Sequence, residues 1–116
     1  MQSIDFYLGK FKRPGYNCLD FATEVWLDAT GEDLHERLQG LYVPRQDRHI
    51  HSSHLRAFER FASPVEPCLV LMHRRRVEPH LGVYLRQKVL HLGPYGVEFL
   101  PLDVASRGFP ILEFFK

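Results

Sequence analysis

The chain changes texture at Pro64 and Pro67, and that change limits the architectures open to it. Before the two prolines, apolar residues recur at three- and four-residue steps. Beyond them, they gather in short runs separated by turn residues. From Cys18 to Ala29 the positions Cys18, Phe21, Ala22, Val25, Trp26 and Ala29 trace one face of a helix. Asn17 supplies a side-chain oxygen able to cap its start, and Gly31 offers a stop. Leu34, Leu38 and Leu41 predict a second, shorter helix, and Ser52 or Ser53 followed by Leu55, Phe58 and Phe61 predicts a third. Residues 6 to 17 mix aromatics with Gly9, Pro14 and Gly15 and read as a loop leading into the first helix.

The second half reads as strands over Cys68 to Met72, Leu81 to Leu85, Lys88 to Leu92, Val97 to Leu100 and Ile111 to Phe115. Helices first and strands afterwards predict an α+β fold, with N-terminal helices packed on one face of a C-terminal antiparallel sheet. At 116 residues and 45% hydrophobic content, the chain suits a single domain over 1–116 that buries roughly two thirds of its unfolded surface.

Charge narrows the function classes. Fifteen Lys and Arg against 14 Asp and Glu lack the clustered excess that phosphate neutralisation needs, so no nucleic acid partner is expected. The run Arg74-Arg75-Arg76 reads as a solvated turn. No apolar run approaches the roughly 20 residues of a membrane span. The start, Met1-Gln2-Ser3-Ile4-Asp5-Phe6-Tyr7, has neither a basic beginning nor an apolar core, so the chain is expected to be made in the cytoplasm without a signal peptide.

The two cysteines, Cys18 and Cys68, form no close pair, which excludes a zinc ribbon or dithiol motif. They read as free thiols, a single disulfide being the other reading. Cys68 begins an apolar strand and reads as structural. Cys18 falls in a first helical turn, where the dipole and free backbone N–H groups stabilise a thiolate; from this feature alone a small buried apolar residue on the core face is the favoured reading. A nucleophile needs a base, and His80 opens His80-Leu81-Gly82-Val83-Tyr84 at a strand start. A hairpin near Arg86, Gln87 and Lys88 would bring His91 beside His80, so that one ring orients the other. Purely structural histidines remain the alternative.

A second cluster, His49, His51 and His54, is close enough to share a metal. No acidic residue follows in a metalloenzyme spacing, so it reads as solvated or locally capping, and no metal or cofactor is expected.

Pro14-Gly15-Tyr16-Asn17-Cys18, then Phe21, Glu24-Val25-Trp26 and Gly31, then His80-Leu81-Gly82-Val83-Tyr84 and Val89-Leu90-His91, together resemble the NlpC-type papain-like cysteine peptidases. The closest resemblance is to small bacteriophage tail-associated members, whose ending is similar to Gly96-Val97-Glu98-Phe99-Leu100-Pro101-Leu102 and a final aromatic strand. Asn17 stands where the family has an acidic residue, Leu19-Asp20 where it has small residues, and Pro67-Cys68 where it commonly has Gly-Asp.

The resemblance implies a papain-like domain with Cys18 as nucleophile, His80 as base, His91 as orienting residue and Tyr7 as a substrate-binding contributor. It implies peptidoglycan stem peptides as substrate, or a tail-assembly protease role, with other phage tail proteins as partners and incorporation in the virion. Two readings stay open beside it: a non-catalytic tail-tip or assembly subunit keeping the fold, and a cytoplasmic amidase or acyl-transfer enzyme.

Overall fold

The computed structural model describes residues 1–38 and 50–116. Helix α1 (Ile4–Leu8) precedes a loop and helix α2 (Cys18–Thr30), followed by short 3-10 turns at Leu34–Glu36 and Ser52–Leu55. Strands β1 (Arg60–Phe61), β2 (Cys68–His73), β3 (His80–Leu85), β4 (Lys88–Gly93) and β5 (Gly96–Pro101) come next. Helix α3 (Leu102–Gly108) and strand β6 (Ile111–Phe115) complete the chain. The six strands form one antiparallel sheet in the order β1-β6-β2-β3-β4-β5. No helix among the described residues is long and apolar enough to cross a membrane.

Helix α2 forms where the periodicity places it. Asn17 Oδ1 accepts from the Leu19 and Asp20 amides at 3.0 and 3.3 Å, and Asp20 Oδ2 accepts from the Asn17 amide at 2.9 Å, a reciprocal capping box. Gly31 ends the helix with φ of 80°, a left-handed stop that favours glycine. The face carrying Leu19, Ala22, Val25 and Trp26 is fully buried against Leu69, Leu71, Leu81, Val83, Leu90 and Leu92 of the sheet.

The alternate side chains of the same strands, Cys68, Val70, Met72 and Val89, pack with Ala105 of α3 and Phe114. The sheet is thus covered on both faces, which explains why β2 reads as an unbroken apolar run. A helical layer on one face alone, as the sequence predicts, omits α3. Its seven residues are too few to display a period.

Three further expectations are corrected. The predicted third helix stops at Leu55, and Phe61 instead joins β1, pairing with Phe114 of β6. The second shrinks to a 3-10 turn at Leu34–Glu36; Leu41, which extended it, lies outside the described residues. The loop expected over residues 6 to 17 begins with the last turn of α1.

Between β3 and β4, Leu85 faces Lys88, so Arg86 and Gln87 make a two-residue turn with φ of 52° and 65°. Positive φ at both central positions matches the right-handed twist of the flanking strands and sets their register.

Candidate active site

The β3–β4 register puts Gly82 opposite His91, which makes His80 the diagonal neighbour of His91 on the same face. Their rings meet edge to face with centroids 4.9 Å apart, and His80 Nε2 lies 2.9 Å from His91 Nδ1. With the hydrogen on His80 Nε2, that bond is donated to His91, and the Nδ1 lone pair of His80 stays free to accept a proton. Phe109, between α3 and β6, stacks on the other side of His80 at 5.5 Å with an interplanar angle of 10°. The imidazole is therefore clamped between a ring and a hydrogen bond.

Cys18 opens α2 at the same end of the sheet. It and His80 line one cleft of about 770 Å³ together with Lys12, Asn17, Arg74 and Phe109. One wall is the loop before α2, where Arg13 and Tyr16 bond to each other through both backbone amides around Pro14 and Gly15. Gly15 takes φ of 78°, which suits glycine at this turn. The Tyr16 hydroxyl donates to Glu24 Oε2 at 2.5 Å, pinning the loop to α2.

The Asn17 cap occupies the Leu19 and Asp20 amides, and the Phe21 amide bonds Asn17 O. Among the described residues, no hydrogen bond engages the Cys18 amide, which leaves a donor beside the thiol at the helix start.

Electrostatics differ from what a helix start alone predicts. Burial pushes the Cys18 thiol up, opposed by the Leu81 amide, Lys12 and the Leu19 amide. Burial also pushes His80 down to about 3, helped by His91, Lys12 and Arg74. In the free protein the pair is held as neutral thiol and neutral imidazole. Desolvation outweighs the helix dipole because the first turn lies under β3 rather than in solvent.

Tyr7 is not brought to this cleft. It is buried in α1 against Phe21, and its hydroxyl donates to Asp28. Cys68 is wholly buried and free, as expected, with burial pushing its thiol up to about 11. Among the described residues no cluster suits a metal. His54 Nδ1 accepts from the His51 amide at 3.0 Å, a local cap; His49 lies outside the described residues.

Phe109, Lys12 and Arg74 are site residues that sequence reasoning missed. Arg74 belongs to the exposed turn expected of the arginine run, yet its guanidinium sits over Phe109 at 5.1 Å. Phe109 carries no local signal, since only the closing of β6 onto β2 brings it to His80. Comparison with protein-family models, curated proteins and solved structures found no match.

Proposed function

We propose that the chain is a cysteine hydrolase of the papain-like, NlpC type, cleaving amide bonds of peptidoglycan stem peptides as a component of a phage tail. The observation that carries this reading is the 2.9 Å contact between His80 Nε2 and His91 Nδ1, with His80 lining the same cleft as Cys18. The sequence pattern supports the substrate class and the tail setting.

In this mechanism a carbonyl carbon of the substrate sits over Cys18. Sγ attacks it while the thiol proton passes to His80 Nδ1. His91 holds the imidazolium through the Nε2 bond, and the free Cys18 amide donates to the developing oxyanion. As the tetrahedral species collapses, His80 returns the proton to the leaving amine. Water then attacks the thioester carbonyl, its proton passing to His80, and the acid product departs as the thiol is restored. Because the resting pair is neutral, proton transfer accompanies attack.

Purified stem-peptide fragments incubated with wild type and Cys18→Ala test the reading. Cleavage by wild type alone supports it, and cleavage retained in Cys18→Ala overturns it.

One observation favours a second reading, a tail-tip or assembly subunit without turnover: burial keeps the Cys18 thiol protonated. For such a subunit, wild type leaves stem peptides intact, and Cys18→Ala assembles normally into particles.

A further inference from the structure

The triad ends at a buried nitrogen that needs an acceptor. His91 is 2% exposed, and its Nε2 has no hydrogen-bond partner among the described residues. If Nδ1 accepts from His80, Nε2 carries the ring hydrogen, and a buried N–H without an acceptor is costly. Glu98 stands directly across the β4–β5 ladder from His91, with Oε1 3.5 Å from Nε2, a separation slightly long for a formed bond. Gly93 leaves the space for this carboxylate: a Cβ there would stand 3.1 Å from Glu98 Oε1 and 3.9 Å from His91 Cε1.

We propose that Glu98 is a positioning residue for the hydrolase, accepting the His91 Nε2 hydrogen and so fixing the His91 tautomer that receives the His80 bond. The inference rests on the reading above for its consequence in catalysis. Glu98 acts through His91 and His80 and touches no reacting atom. The relay then runs from the Cys18 thiol through His80 and His91 to a carboxylate at the sheet edge. Its negative charge stabilises the imidazolium formed on His80, at a distance of one ring.

The groups facing this pair come from several elements. His80 approaches from β3, Arg74 from the β2–β3 turn and Tyr95 from the β4–β5 turn, while Lys12, from the loop before α2, acts on His80. Helix α3 presents Val104, Ala105 and Gly108, none of them charged. Glu98 is therefore the sole carboxylate among the described residues forming an ion-pair contact with His91.

The test combines ring-nitrogen NMR of His91 with stem-peptide cleavage in wild type, Glu98→Ala, Glu98→Gln and Gly93→Ala. The expected result is an Nε2–H tautomer in wild type, retained in Glu98→Gln and mixed in Glu98→Ala and Gly93→Ala. Cleavage in Glu98→Ala should fall roughly 10- to 100-fold in kcat with KM little changed. Glu98→Gln should recover part of that loss and move the acidic limb of the pH profile. An Nδ1–H tautomer in wild type, or a tautomer and profile unmoved by Glu98→Ala, overturns the proposal. The NMR readout needs no turnover, so a wild type inactive on stem peptides defeats the functional reading while the tautomer still decides the role of Glu98.

Discussion

Gly82 lies directly opposite His91 across β3 and β4, and a Cβ at Gly82 would stand 3.2 Å from the His91 Cβ and 2.9 Å from Val89 Cγ1. The missing side chain is what lets His91 lean toward His80. Gly82→Ala should destabilise the fold by about 1–3 kcal/mol through overpacking. It should also reduce cleavage beyond the effect of unfolding, as seen by turnover measured well below the melting temperature. Unchanged turnover would show that the His80–His91 bond does not depend on this close approach.

Acid should weaken the protein through the same pair. His80 in the unfolded chain takes up a proton near 6.5, while in the folded chain it refuses one until about pH 3. Between these values the unfolded state binds more protons. The contribution is complete above pH 6.5 and is lost as pH falls, by about 1.4 kcal/mol per pH unit. Urea unfolding at neutral pH and at pH near 4.5 should show a smaller loss for His80→Gln than for wild type; equal losses would assign acid sensitivity elsewhere.

Thiol reactivity has the opposite sign from that of a preformed ion pair. In a Cys68→Ser background, alkylation of Cys18 by iodoacetamide should rise with a midpoint above the ordinary thiol value of about 8.5. A midpoint well below it, abolished in His80→Ala, would mean that thiolate and imidazolium coexist in the free protein.

Asn17 tests what the departure from an acidic residue does. Asn17→Ala removes the side-chain half of the capping box and should cost about 1 kcal/mol, read from chemical unfolding. Asn17→Asp keeps an acceptor at the same place and should restore most of that stability. It also sets a carboxylate beside Cys18, so it should raise the alkylation midpoint further.

Tyr7→Phe should leave cleavage intact and lower thermal stability. The hydroxyl binds Asp28 and holds α1 against α2, away from the cleft. A selective loss of turnover would return Tyr7 to a role in substrate binding.

Much of the arrangement was legible before any coordinates, wherever local chemistry decides it. The three- and four-residue spacing of α2 is carried by its own side chains, with Asn17 at one end and Gly31 at the other. The β3–β4 hairpin is likewise local, because a two-residue turn leaves a single register, and that register makes His80 and His91 neighbours. Ile111–Phe115 forms the strand its apolar and aromatic residues predict.

Other parts depend on partners far along the chain. Phe61 fits a helical period as well as a strand, and its pairing with Phe114 decides the matter. Phe109 reaches His80 only because β6 closes onto β2, and Glu98 gains its place beside His91 from the β4–β5 register together with the space at Gly93. The protonation of Cys18 and His80 follows the same division. The sequence determines that a thiol begins a helix and that two imidazoles share a hairpin. Only the tertiary structure decides their charge, because desolvation depends on what lies over them, and here burial outweighs the helix start.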